Sequence, residues 1–108
     1  MEMAIDVAVD RLAALAQAHR LAVFRLLVAA GPDGVAAGDI ADTLGLPASS
    51  LSFHLAHLKR AGLITADRRG RSLRYSADFV AINGLVDFLT ENCCGGQDCT
   101  FAVTATAA

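Results

Sequence analysis

The 108-residue sequence predicts a mainly α-helical single domain with one small β-hairpin, in the order α-α-α-α-β-β-α. Three observations lead there. Apolar residues recur at three- and four-residue spacing through most of the chain, the signature of amphipathic helices. Aliphatic residues and alanine dominate, with five Phe, one Tyr and no Trp, a composition that favours helices over a β-sandwich. Two strand-length segments flank the turn "DRRGR", where Gly70 supplies the dihedral that a tight hairpin needs.

The elements follow in order. Residues 4–17 place Ala4, Val7, Ala8, Leu12 and Leu15 at helical spacing. A second helix begins near His19, its expected cap, and buries the stripe Leu21, Phe24, Leu27 and Val28 until Gly31-Pro32-Asp33-Gly34 ends it. A short third helix turns Ile40, Ala41 and Leu44 inward and stops at Gly45. Leu46 and Pro47 open a fourth, with proline at the tolerated first position and Leu51, Leu55 and Leu58 facing the core. Leu63–Ala66 and Ser72–Ser76 are the expected strands. Asp78 caps a last helix bearing Phe79, Ile82, Leu85, Val86 and Leu89. Gly84 in its middle costs about 1 kcal/mol against alanine, which points to close packing there.

A short helix turning through Gly45 into a longer one is a helix-turn-helix, and the hairpin behind it reads as a wing. Net charge is only −2, but it is unevenly spread. Lys59, Arg60, Arg68, Arg69, Arg71 and Arg74 face a single acid, Asp67, in one segment, giving +5, and the remainder of the chain carries −7. Such a chain presents one basic face and repels polyanions elsewhere. On the fourth helix, the side opposite the leucines carries Ser49, Ser52, Phe53, Ala56 and Arg60, flanked by Ser50 and His57 on one side and Lys59 on the other. Small hydroxyls allow close approach to a groove, and an aromatic ring suits a thymine methyl. Ser49, Ser50, Ser52, Phe53, His57, Lys59 and Arg60, with Arg68, Arg69 and Arg71 in the wing turn, are therefore the expected contacts to double-stranded DNA. His54 borders the apolar face and is expected to be structural. Surplus apolar surface on the first and last helices suggests a two-fold homodimer through them.

Cys93, Cys94 and Cys99, in "ENCCGGQDC", are the only cysteines. Three sulfurs cannot make an even disulfide framework, but three converging thiolates form a soft trap for a thiophilic ion, and Gly95-Gly96 lets the backbone fold back. This divides the chain into residues 1–92, for DNA binding and dimerisation, and residues 93–108, a cysteine-bearing sensor tail. The first ten residues carry acids and no base, and no uncharged apolar run approaches bilayer length, so the expected setting is cytoplasmic, with no membrane partner.

"GDIADTLGLPASSLSFHLAHLKRAGLI" followed by "DRRGRSLRYS", with "AHRLAVFRLLVAAG" upstream, resembles the winged-helix core of the ArsR/SmtB metalloregulatory repressors over residues 16–90. The resemblance implies a homodimer that occupies operator DNA and lets go when an inducer binds. The family's "CVC" arsenite site on the third helix has no counterpart, because Ala36, Ala37 and Gly38 stand ahead of Asp39. Its zinc-type site on the last helix needs histidines that this helix lacks, although Asp87 and Glu91 remain. The three C-terminal cysteines are the sulfurs left for a displaced sensor.

Arsenite is the expected inducer, since trivalent arsenic takes three soft donors and keeps a lone pair. Antimonite is chemically similar. Zinc or cadmium would need a fourth ligand, such as Asp98, Glu91, water or a residue of the other subunit. No organic cofactor is expected. A thiol-redox repressor on the same scaffold is the competing reading. A cysteine enzyme using His54 or His57 as base lacks a third, orienting residue. An interaction module that never touches DNA is disfavoured by the +5 segment.

Overall fold

Five α-helices and a three-stranded antiparallel sheet make up residues 3–96, the part of the chain that the computed structural model describes. Helix α1 spans Ile5–Leu15 and α2 Ala18–Ala30; β1 is the two-residue strand Val35–Ala36. Then come α3 (Ala37–Leu44), α4 (Ala48–Arg60), β2 (Ile64–Arg69), β3 (Ser72–Ala77), α5 (Phe79–Thr90) and a 3-10 turn at Cys93–Gly96.

The local stops and starts have identifiable causes. Gly45 takes a left-handed conformation (φ +66°) that lets the chain leave α3 and lets Leu46 N–H donate back to Ala41 O at 3.0 Å. Asp78 caps α5 by accepting from the Ala81 N–H at 3.0 Å, as expected. The start of α2 differs from expectation. Gln17, not His19, is the N-cap, its side chain accepting from the Arg20 N–H at 2.8 Å. Pro47 likewise sits at the N-cap of α4 rather than inside its first turn.

Val23, Phe24 and Leu27 of α2, Ile40 of α3, Leu51, Leu55 and Leu58 of α4, and Leu63 and Ile64 at the base of the hairpin form one buried cluster. The α4 leucines are where their spacing put them. On α2 the stripe is rotated. Leu21 and Val28 are 43% and 40% exposed, and Val23 takes the inward place, because α2 is contacted by α1, α3, α4 and β3 and so buries a broader arc than one stripe. On α5, Ala81 and Leu85 are buried, whereas Val86 and Leu89 are more than half exposed.

The wing is longer and its turn tighter than the sequence implied. Pairing continues to Arg69↔Ser72, so only Gly70 and Arg71 form the turn, and Arg68 and Arg69 belong to β2. Strand β1 pairs with β3 on its other side, Val35↔Tyr75 and Ala36↔Arg74. A two-residue strand carries no periodic signal, which is why the pattern missed it. Arg74 fastens this corner, donating to Asp33 O at 3.0 Å and Gly34 O at 2.8 Å.

One guanidinium ties distant segments together. Arg11 of α1 donates to Ala61 O, at the end of α4, and to Ala81 O, in the first turn of α5, each at 3.3 Å. Beside it runs an apolar groove of about 680 Å³ between α1 and α5, lined among others by Met3, Val7, Val80 and Gly84. A Cβ on Gly84 would lie 3.3 Å from Met3 Cε, so the close neighbour of this glycine is the flexible tip of a side chain that precedes α1, not a helix backbone. Among the described residues, no single helix is long and apolar enough to cross a membrane.

Candidate nucleic-acid interface and cysteine cluster

Burial of Leu51, Leu55 and Leu58 turns the opposite side of α4 outward. Ser49, Ser52, Phe53, Ala56, Lys59 and Arg60 are exposed, while Ser50 and His57 are half-buried at its flank. Phe53 is 63% exposed rather than folded under the hairpin. It stands edge-on to two imidazoles, His54 at 5.8 Å and His57 at 6.5 Å between ring centroids. The two imidazoles brace the ring in an outward pose.

Among the described residues His54 is the one buried polar side chain, and its Nδ1 finds no hydrogen-bond partner there. Burial lowers its pKa below the usual 6.5, helped by the charges of Arg20, His19 and His57. His57 is lowered too, again mainly by desolvation, then by Arg20 and Arg60. Both rings are therefore favoured neutral at neutral pH. The influence of His19 and Arg20 was not legible in the sequence, since they stand some 35 positions away and on another helix.

The wing arginines do not form one uniform tip. Arg71 is exposed in the turn, Arg68 points from β2, and Arg69 is held by Asp67 in an ion pair at 3.3 Å. Arg74 spends its donors on loop carbonyls and belongs to the scaffold.

The cysteines follow α5 after Glu91 closes it. Asn92 and Cys94 both have positive φ (58° and 57°), which turns the chain sharply at this point. Cys93 Sγ and Cys94 Sγ lie 3.6 Å apart at the surface. Cys93 keeps a free thiol, whereas Cys94 is disulfide-bonded. Cys99, the third member of the expected trio, lies outside the described residues, as does most of the proposed 93–108 tail. Among the described residues, no three His, Cys, Asp or Glu side chains converge to hold a metal ion.

Comparison with known proteins agrees with this arrangement. A family model described as a helix-turn-helix domain matches residues 15–66. The chain is 32% identical over 79 residues to the HTH-type transcriptional regulator YgaV of Escherichia coli K12, covering 73% of this chain and 80% of that one. Among solved structures, an ArsR-like transcriptional regulator from Rhodococcus sp. RHA1 superposes with a TM-score of 0.73 at 23% identity, covering 96% of this chain and 94% of the other. The homodimeric winged helix-turn-helix DNA-binding domain Mb0332 from Mycobacterium bovis does so with a TM-score of 0.65 at 29% identity, covering 86% of each chain. Fold and exposed face together define a winged helix-turn-helix regulator of transcription. The chain belongs to the helix-turn-helix transcriptional regulators and shares its winged-helix fold with the ArsR-like neighbour.

Proposed function

We propose that this protein is a homodimeric repressor that occupies operator DNA through α4 and the wing and releases it when its C-terminal thiols capture trivalent arsenic. The observation that carries the DNA half is Phe53, 63% exposed among hydroxyl and basic side chains. A large apolar ring held out in water is costly unless a partner covers it, and a thymine methyl in the major groove is a fitting partner. Ser49, Ser50 and Ser52 approach base edges or phosphate, while His57, Lys59, Arg60, Arg68, Arg69 and Arg71 meet phosphate. Dimerisation is supported by the exposed apolar residues of α1 and α5, including Val7, Val80, Val86 and Leu89, of which Val7 and Val80 line the groove between those helices. The Mycobacterium bovis neighbour is a homodimer.

The wing can be tested by its salt dependence. Neutralising Arg68 with glutamine is expected to make the log Kd–log salt slope shallower by about one unit, because each lost phosphate contact removes about 0.9. Arg69→Gln should change it less, since that guanidinium is already engaged by Asp67. Equal effects from the two variants, in fluorescence anisotropy on a labelled duplex, would count against this assignment of the wing.

Release follows from sulfur chemistry. Three thiols replace the three hydroxides of arsenous acid, each S–H proton leaving with a hydroxide as water. Antimonite would react in the same way. All three cysteines must first be thiols, so cellular thiols have to reduce the disulfide at Cys94 before capture. Gathering Cys99 onto Cys93 and Cys94 would restrain the end of α5 and shift the dimer helices, spoiling the half-site spacing of about 34 Å. Converting a 99:1 population to 1:99 takes about 5.5 kcal/mol of differential binding, within reach of several As–S bonds.

The disulfide at Cys94 favours a second reading, in which thiol oxidation itself is the signal. Parallel titrations of the DNA-bound protein with arsenite, antimonite, zinc, cadmium and an oxidant separate the two. Arsenite-driven release that survives Cys→Ser changes at positions 93, 94 and 99 together would end the metalloid reading. Release by the oxidant alone would establish the redox one.

A further inference from the structure

All three histidines of the chain gather where the first turn of α2 meets α4. His19 is exposed, with its ring centroid 5.7 Å from that of buried His54. His54 in turn adjoins Phe53, and Phe53 adjoins His57. Arg20 and Arg60 lie near enough to His57 for their charges to act on its ring. Arg20 is anchored there by donating from Nε to Ala14 O at 2.7 Å.

Among the described residues, no ion pair neutralises this basic cluster. The one carboxylate–cation ion pair among the described residues is Arg69–Asp67, in the wing. Asp10 of α1 shares with His57 and Arg60 the lining of a hollow of about 310 Å³, yet forms no ion pair with either. Like charges drawn from two helices and left unpaired cost free energy in the free protein, and an anion relieves that cost on binding. Two arginines beside the imidazoles also disfavour a metal cation. The cluster is continuous with Phe53 on the outward face of α4, so a polyanion seated on that face reaches it.

We propose that this α2 edge is a second backbone-gripping surface for duplex DNA, in which His19 and His57 each meet a phosphate and His57 takes up a proton as it does so. It rests on the DNA reading above and adds a part of α2 that the helix-turn-helix itself does not supply. The sign of the pH effect follows from linkage. Phosphate stabilises the imidazolium, so the pKa of His57 rises on binding, and affinity increases as pH falls through the region of 6.5 and below. The charged groups acting on His57 are Arg20 from α2 and Arg60 from its own helix; His54 also lies on that helix, and Asp10 of α1 faces it across the hollow. Buried His54 does not join the contact.

The test uses the full chain and a fluorescein-labelled, mixed-sequence duplex, with anisotropy followed against salt at about pH 6 and about pH 8. The wild-type protein is expected to bind several-fold more tightly at the lower pH. Its salt slope should be steeper there by up to about 0.9, for the one contact that His57 gains on protonation. The double variant His19→Gln/His57→Gln should lose this pH dependence, while Arg68→Gln keeps it and loses slope at both pH values. His19→Gln alone, at an exposed position, should weaken binding at both pH values and keep the pH dependence, with circular dichroism as the check on folding. If the double variant keeps the wild-type pH dependence, or loses affinity equally at both pH values, the proposal is overturned. If the wild-type chain binds no duplex at either pH, the DNA reading falls and this surface falls with it.

Discussion

Gly34→Ala is expected to destabilise the domain by about 3 kcal/mol, lowering its thermal midpoint by roughly 10–20 °C. Gly34 sits in the loop between α2 and β1 with φ +75°, a region that L side chains rarely adopt. A Cβ there would come within 2.7 Å of both Tyr75 O and Ser76 Oγ. The carbonyl belongs to the β3 backbone and cannot step aside without dragging the strand. Strand β3 is also the middle strand of the sheet, so the disturbance passes to the wing. Duplex binding should weaken as well as stability. Gly38→Ala is the control. It lies in α3 with nothing within 4 Å of its Cβ, and there alanine is expected to be neutral or slightly stabilising, by up to about 1 kcal/mol. Differential scanning calorimetry of the two variants decides the matter, and similar midpoints would refute the steric account.

Arg11→Met should have the second largest effect, about 2 kcal/mol of stability with a further loss of duplex affinity. The substitution removes two donors at once and leaves Ala61 O and Ala81 O without that partner. Those carbonyls mark the end of the reading helix and the first turn of the helix that leads to the cysteines. Without their common anchor, α1, α4 and α5 lose the contact that sets their relative positions, and two reading helices in a dimer would keep their half-site spacing less well. Lysine should rescue only part of the loss, because a single ammonium lacks the planar fork that reaches two carbonyls in different directions. Urea denaturation followed by anisotropy on the same samples separates the two consequences. A variant that is destabilised but binds duplex with unchanged affinity would show that Arg11 only holds the fold together.

The helical elements were legible because each carries its own punctuation. Gly45 and Asp78 stop and start helices by local chemistry alone, and the i, i+4, i+7 leucines of α4 name both its core face and, by subtraction, its outward one. That subtraction is why Ser49, Ser52, Phe53 and Arg60 lie on the exposed side as expected. The errors share a different cause. The stripe on α2 was misjudged at Leu21 and Val28 because a helix packed on several sides has no single buried line. Strand β1 exists only because β3 offers it partners. Arg68 and Arg69 left the turn because backbone pairing ran further than the strand-like residues did.

Short-range pattern, then, was enough to establish the order of the helices and the hairpin, the helix-turn-helix with its wing, the outward face of α4 and the concentration of sulfur behind α5, because these depend on dihedral preference and on which residues avoid water. Packing across long separations decided the rest. It brought His19 beside His54 and Arg20 near His57, set Arg11 between two helix ends, tied Arg74 to a loop and left Val80 and Val86 uncovered. Such contacts are chosen by how helices cross and by which surface each one finds, and neither is written in the spacing of neighbours along the chain.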